Sequence, residues 1–274
     1  MDVVKGIQAE AENISPYVII CQPRRSESET PAQNIRGAIG LHIDVLGYSH
    51  AYCEICGEKV DVARNYLIEQ AIASGAEYLL FIGEDTVLPY DGFLKLLKTV
   101  KENPRSCAVG VYYIKTSSPM IMLREGGRIY PADVSRGQTF EVWQAGMDAM
   151  LIPISLLREM KEKEPEVPYT CIYNYNEADG VNVNFIGEDN FFYYRLRQFG
   201  CKVLCNTDVQ CLHMDLATGK YTASEDINLE DYYTNIKITE RLTLQDKAYI
   251  DKRWIDRLPE GTTNKAEEPE EKDG

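Results

Sequence analysis

The sequence predicts an α/β fold in which a mainly parallel sheet is flanked by helices. Three observations predict it. Unbroken runs of aromatic and branched apolar residues, Tyr17-Val18-Ile19-Ile20-Cys21, Tyr78-Leu79-Leu80-Phe81-Ile82 and Ala149-Met150-Leu151-Ile152, read as strands buried on both faces. Between them lie stretches with helical apolar spacing that carry start and stop residues. Where the runs end, the chemistry switches to carboxylates or cations, and strands of an open α/β sheet deliver such groups to a crevice outside their carboxyl ends.

Taken in order, residues 1–15 form a short polar lead-in, and the first strand ends in Gln22-Pro23-Arg24-Arg25-Ser26. That loop is either solvated or the place where a nucleotide-binding half meets base and phosphate. Ile35, Ile39, Ile43 and Leu46 fall at helical spacing, and His42 and His50 read as ordinary polar residues. Residues 61–75 form a helix: Asp61 can cap it, Ala63, Leu67, Ile68, Ala71 and Ile72 line one face, and Gly75 can stop it. Arg64 and Asn65 sit in its first turn, where backbone N–H groups favour anions. The central strand runs into Gly83-Glu84-Asp85-Thr86, whose acids serve either a turn or a ligand.

Asp91 can cap a second helix carrying Phe93, Leu94, Leu96, Leu97 and Val100, closed by Asn103-Pro104. Residues 107–114 are strand-like, and residues 120–130 read as a hairpin around Glu125-Gly126-Gly127. Residues 142–153 pass from a polar approach into a buried strand, followed by a helix over 154–163. A loop rich in Tyr and Asn, residues 169–184, precedes Phe185-Ile186-Gly187-Glu188-Asp189, then a helix over 190–198 stopped by Gly200. Short strands at 203–205 and 209–212 lead to His213. The remainder to residue 258 reads as helical and amphipathic, and residues 259–274, with runs of Glu and no large apolar side chain, as a disordered acidic tail.

Composition narrows the class. A chain of 274 residues, 44% hydrophobic and 26% charged, can bury a sizeable globular core. Acids outnumber bases by 43 to 29, and the net charge of -14 opposes general affinity for nucleic acid or an anionic membrane. Apolar runs are strand-sized, and Met1-Asp2-Val3-Val4-Lys5 lacks the features of a secretion signal, so no membrane span and a cytoplasmic location are expected. The eight cysteines are scattered, with one isolated C-x-x-C at Cys53 and Cys56, and read as reduced structural thiols.

Three stations of acid or imidazole therefore stand at strand or loop ends: Glu84-Asp85, Glu188-Asp189 and His213. Their order and surroundings resemble glycosyltransferases of the GT-A fold, particularly the small bacterial and phage family-2-like enzymes, over residues 17–221. Ala63-Arg64-Asn65 resembles the A-R-N segment before their central strand, and residues 81–89 their D-x-D segment with its Val-Leu-Pro sequel. Residues 146–152 resemble the acceptor-side strand, Gly187-Glu188-Asp189-Asn190-Phe191-Phe192 the E-D motif, and Cys211-Leu212-His213 the closing metal histidine. One departure stands out: the first acid of D-x-D is here Gly83.

The resemblance implies a metal-dependent, inverting transfer of a sugar from a nucleotide-sugar donor to a glycan or other hydroxyl acceptor. A divalent cation, Mn2+ or Mg2+, would be held by Asp85 and His213 and would neutralise the leaving diphosphate. Asp189 would be the base that takes the acceptor's proton, with Glu188 beside it. Gln22, Pro23, Arg24, Arg64, Asn65 and Glu84 would serve the nucleotide, and Asp148 the sugar or acceptor. It also implies one domain over residues 1–258: a nucleotide-binding part at about 16–115, an acceptor-side part at about 116–221, and a C-terminal helical segment. For Asp189 a helix cap is the rival reading, and for Trp143, Tyr112 and Tyr113 core packing rivals sugar stacking. Two other functions compete. A sugar-phosphate nucleotidyltransferase should carry a Gly-rich phosphate loop, yet residues 22–30 contain no glycine. A silent binding protein of the same fold is kept open by Gly83 in place of an acid. A nucleic-acid acceptor is opposed by the net charge.

Overall fold

The computed structural model describes residues 16–25, 39–40, 43–44, 46–113, 119–125, 128–176, 183–215 and 220–222. The acidic tail, the helical segment before it, His42 and the polar lead-in lie outside the described residues. The first half contains β1 (Val18–Arg24), β2 (His50–Cys56), α1 (Val60–Ala73), β3 (Tyr78–Ile82), β4 (Thr86–Val87), α2 (Gly92–Glu102) and β5 (Ser106–Val111). There follow β6 (Ile121–Glu125), β7 (Arg128–Pro131), β8 (Thr139–Glu141), β9 (Gln144–Ala145), β10 (Ala149–Pro153) and α3 (Ile154–Lys163). The last elements are β11 (Tyr173–Asn176), β12 (Val183–Ile186), α4 (Glu188–Gln198), β13 (Lys202–Gln210), β14 (Leu212–Asp215) and β15 (Lys220–Thr222).

Seven strands make the central sheet in the order β2-β1-β3-β10-β5-β13-β8. The pairings β1–β2, β1–β3 and β5–β13 are parallel, whereas β10 runs antiparallel to both β3 and β5, and β8 to β13. The sheet is thus mainly parallel, with β10 reversed at its centre. The unbroken apolar runs follow from burial on both faces. Ile19, Cys21, Leu79, Phe81, Met150 and Ile152 meet Leu67 and Ile68 of α1, Leu157 of α3 and Phe192 of α4. Their alternates Val18, Ile20, Leu80, Ile82 and Leu151 meet Phe93, Leu96 and Leu97 of α2 on the other face. Each such side chain taken wholly from water stabilises by about 1.5–3 kcal/mol before entropy is counted.

Several local expectations are corrected. Asp61 does not cap α1, which starts at Val60 after Lys59 without a side-chain cap; its carboxylate instead accepts from the Ile172 amide at 3.3 Å. Asp91 precedes α2 but makes no capping bond and pairs with Lys95 at 2.8 Å. Helix α4 begins at Glu188, behind Gly187, so Asp189 lies in its first turn and is not its N-cap. The two short strands expected near the end are one nine-residue strand, β13, whose register shifts between Cys205 and Gln210, followed by β14. Edge strand β2 was not anticipated, because its residues alternate between partial burial and exposure. The reads that hold include Gly75 and Gly200 as helix stops, both at positive φ, and the β6–β7 hairpin. All eight cysteines are free thiols. No helix among the described residues is long and apolar enough to cross a membrane.

Candidate active site

The site starts where β3 leaves the sheet. Gly83 is held from both sides: its carbonyl accepts from the buried Gln22 Nε2 at 3.1 Å, and its amide donates to the Asp148 carbonyl at 3.0 Å. The chain then turns, with the Thr86 amide donating to the Gly83 carbonyl at 3.3 Å, and enters β4. Strand β4 pairs antiparallel with β14, which puts His213 opposite Thr86. The Met214 amide donates to the Asp85 carbonyl at 2.6 Å, and His213 Nε2 lies 3.4 Å from Asp85 Oδ2. Two residues 128 positions apart in the chain are thereby fixed as a carboxylate–imidazole pair. Burial alone would lower the His213 pKa, but the adjoining Asp85 carboxylate outweighs it and the net shift is upward.

Glu84 points elsewhere. Its Oε2 accepts from the Arg25 amide at 3.1 Å, and Oε1 lies 3.7 Å from the Arg25 guanidinium, which is otherwise 81% exposed. Burial pushes the Glu84 carboxyl up, against the downward pull of the Arg25 amide. Glu84 therefore ties the end of β3 to the end of β1.

The second cluster is organised by Arg64, the fifth residue of α1. Only 4% exposed, it donates from Nη1 to Glu188 Oε1 at 2.7 Å and from Nη2 to Asp148 Oδ1 at 3.0 Å. Burial opposes its charge, yet Asp148 and Glu188 more than compensate, so its pKa is raised. One guanidinium thus joins the approach to β10 with the start of α4. A fork of this kind holds two carboxylates in fixed geometry, as a lysine point charge would not.

Asp189 is next to this clamp but outside it. Its Oδ1 accepts from the Asn190 amide at 2.7 Å. Its pKa is pushed up to about 6, by burial first and then by the Glu188 carboxylate, against the pull of Arg64. Beneath the cluster lies the buried Tyr112, whose ring centroid is 5.4 Å from that of His213. A Cβ at Gly146 would collide with the Tyr112 hydroxyl, and the Tyr193 hydroxyl donates to the Gly146 carbonyl at 3.4 Å. Gly146 is therefore a space requirement: it lets two tyrosines close the floor between the clusters.

The other sequence-derived candidates are placed as follows. Asn65 spends its whole amide on the fold, donating to the carbonyls of Asp61 and Thr170 and accepting from the amides of Tyr169 and Thr170. It pins the 169–170 segment and has no bond left for a nucleotide. Gln22 is buried, Pro23 lies within β1 opposite Ile55 of β2, and Arg24 pairs with Glu54 at 3.1 Å. The structure brings Asp85, Asp148, Glu188, Asp189, Arg64 and His213 to the carboxyl edge of the sheet. Sequence reasoning missed the Arg64 clamp and the wall formed by Tyr112; the small residue Gly146 just before Asp148 was the available signal. Among the described residues no three Asp, Glu, His or Cys side chains stand grouped as ligands of one ion.

No family model and no curated protein matches the sequence. Solved structures similar to it include A197 from STIV, 16% identical with a TM-score of 0.48, the match covering 77% of this chain and 95% of that one. GalNAc-T7, solved with UDP, GalNAc and Mn2+, is 9% identical with a TM-score of 0.49; the match covers 82% of this chain but only 48% of that one. A glycosyltransferase involved in the glycosylation of the major capsid of PBCV-1 is 13% identical with a TM-score of 0.32, over 56% of this chain and 70% of that one. Glycosyltransferases thus stand among the structures this fold is similar to, and the likeness is one of fold alone.

Proposed function

We propose that the protein is a metal-dependent, inverting glycosyltransferase that moves a sugar from a nucleotide-sugar donor to an acceptor hydroxyl. The observation that carries this reading is the contrast between the carboxylates at one sheet edge. Asp148 and Glu188 are each bound by Arg64, while Asp189, partly buried and raised to about 6, is bound by neither fork of that guanidinium. A carboxylate with a pKa just below neutrality is ionised at working pH and still basic enough to take a hydroxyl proton. Among the described carboxylates at this edge, Asp148 and Glu188 are tied to Arg64 and Asp85 lies against His213, which leaves Asp189 as the base. A single base acting on the acceptor suits direct displacement with inversion, because retention through a glycosyl-enzyme needs a separate nucleophile.

The cation implied by this chemistry fits the residues present. Asp85 and His213 offer oxygen and nitrogen donors 3.4 Å apart, and the neighbouring Thr86 hydroxyl is fully buried without a hydrogen-bond partner. When bound, the ion supplies neutralisation of the charge that accumulates on the leaving diphosphate. Arg64 acts as a positioning residue: it orients Asp148 and Glu188 and moderates the pKa of Asp189. Arg25, with its exposed guanidinium at the end of β1, is the cation best placed to meet donor phosphates.

The test is a panel of nucleotide sugars incubated with the protein and Mn2+, following release of the nucleoside diphosphate, in wild type and Asp189→Asn. Asparagine keeps the shape but accepts no proton, so transfer should fall by about 10²–10⁴-fold while donor binding, read by calorimetry, persists. Near-normal transfer by Asp189→Asn removes it from the mechanism. Turnover independent of Mn2+ and Mg2+ removes the cation.

A further inference from the structure

We propose that Arg124, Trp143 and Arg197 form an oxyanion-binding subsite, and that the acceptor carries a carboxylate or phosphate that seats there. The identity of the occupant rests on the glycosyltransferase reading; the subsite itself can be tested without any transfer reaction.

Three elements assemble the group. Arg124 lies in β6, Trp143 just before β9, and Arg197 in the last turn of α4. The Trp143 amide donates to the Met122 carbonyl at 2.8 Å, and the Trp143 carbonyl accepts from Arg197 Nη1 at 2.7 Å. Backbone bonds thus fix the half-buried indole between hairpin and helix. The guanidinium carbon of Arg197 stands 3.7 Å from its ring centre and that of Arg124 4.3 Å. Both cations therefore lie over the indole, in the range of a cation–π contact.

Two like charges on one ring are stabilised by an anion, and the chain does not place one there. Arg64, Arg105 and Arg195 each hold a carboxylate. Arg124 and Arg197 form no ion pair among the described residues, in a chain whose acids outnumber its bases by 43 to 29. The acids nearby have other partners: Glu125 accepts from the Tyr130 hydroxyl at 3.3 Å, and Glu141 pairs with Lys202 at 3.5 Å. Burial and then the Arg124 charge push the Arg197 pKa down, the direction an arriving anion would reverse. Stacking occupies the face of a guanidinium and leaves its in-plane N–H donors for a ligand. Arg197 spends Nη1 on the Trp143 carbonyl, and Arg124 makes no hydrogen bond among the described residues. Forks oriented in this way match the geometry of carboxylate and phosphate.

The same helix carries the base. Asp189, Tyr193 and Arg197 follow each other at intervals of four residues, which puts them along one side of α4. The Tyr193 hydroxyl donates to the Gly146 carbonyl at 3.4 Å, so this side of α4 faces the segment that leads from Trp143 to Asp148. At 1.5 Å per residue, Arg197 lies about 12 Å along the helix from Asp189. One rigid element thereby sets the span between the reacting hydroxyl and the charged group of the acceptor.

Inorganic phosphate and glucuronate are the probes, titrated at constant ionic strength. Binding is read by calorimetry on the full chain and by Trp143 emission in Trp254→Phe, which leaves Trp143 as the one tryptophan. Circular dichroism checks the fold of each variant. At least one probe should bind saturably and alter the emission. Arg124→Gln and Arg197→Gln should each weaken it at least about tenfold, the worth of a charge-assisted hydrogen bond. Arg124→Lys, which keeps the charge but not the fork, should weaken it too. Arg25→Gln should leave the Trp143 response as it is. Preference for phosphate or for glucuronate assigns the group and supports the subsite either way. No saturable response to either probe, or wild-type affinity in Arg124→Gln, overturns it. If Arg197→Gln does not fold, Arg124→Gln, at an exposed position, decides alone. In transfer assays Arg124→Gln should lower kcat/KM at least about tenfold for an acidic acceptor and leave a neutral one unaffected; equal effects on both overturn the acceptor as occupant. Saturable binding in a protein that transfers no sugar overturns the glycosyltransferase reading and leaves the oxyanion subsite standing.

Discussion

Arg64→Met tests the clamp most directly. Methionine keeps the aliphatic stem and the helix propensity of α1 while removing the charge. Wild-type Arg64 is 4% exposed and makes charge-assisted bonds of 2.7 and 3.0 Å, so its loss strands two carboxylates beside Asp189. Removing one partner of a fully buried pair costs about 3–5 kcal/mol. Here the Asp148 and Glu188 side chains are 24% and 17% exposed, so water recovers part of that, and we expect about 2–4 kcal/mol. For a domain of this size each kcal/mol moves the melting midpoint by roughly 2–4 °C, giving a fall of roughly 4–16 °C by calorimetry.

The sign of the pH dependence follows from Asp189. Its carboxyl is raised to about 6 with Arg64 as the leading opposing charge, so removing Arg64 raises it further. A carboxyl raised in the folded state costs stability in full above its folded pKa, and the cost vanishes below the unfolded value near 4. The deficit of Arg64→Met relative to wild type should therefore be largest near pH 8 and narrow as the pH falls toward 5. Adding Asp148→Asn and Glu188→Gln should recover most of the loss at pH 8. A variant as stable as wild type, or a deficit that neither narrows with acid nor responds to neutralising the two carboxylates, would refute the reasoning.

Two other outcomes are expected. In the wild type, the transfer rate at saturating donor should fall about tenfold per pH unit below about 6 and level off above it, because only ionised Asp189 accepts the proton; a rate flat from pH 5 to 8 would contradict this. Gly146→Ala should cost about 1–3 kcal/mol, since its Cβ must displace the buried Tyr112 hydroxyl. Urea denaturation would measure it, and a midpoint unchanged from wild type would mean that the Tyr112 ring is free to move.

The elements buried on both faces were legible in the chain. Leu79 and Phe81 pack on one side of the sheet and Leu80 and Ile82 on the other, so β3 had to be apolar throughout, and the same pressure marks β1, β5 and β10. Edge strand β2 was not legible: its Tyr52 and Glu54 face solvent, and half-burial leaves only a weak alternation. Helix stops at Gly75 and Gly200 were readable because positive φ selects glycine, whereas the expected caps at Asp61 and Asp91 failed because Asp61 accepts from the distant Ile172 amide and Asp91 pairs with Lys95 one turn into α2.

The sequence by itself determined the kinds of group available and their order: acids after β3, an acid pair before α4, an imidazole after β13. It also determined the α/β class, since burial on two faces and helical periodicity are written locally in residue type and spacing. Only the tertiary structure decided which of these groups meet. The pairing of β4 with β14 brings His213 to Asp85, and the reversal of β10 sets Asp148 against Gly83. The same fold turns Arg64 and Asn65, neighbours in one helical turn, to different tasks, one clamping carboxylates and the other closing a loop. Strand direction and register are settled by contacts between residues far apart in the chain. Nothing in a local run of residues encodes whether its neighbour in the sheet runs with it or against it.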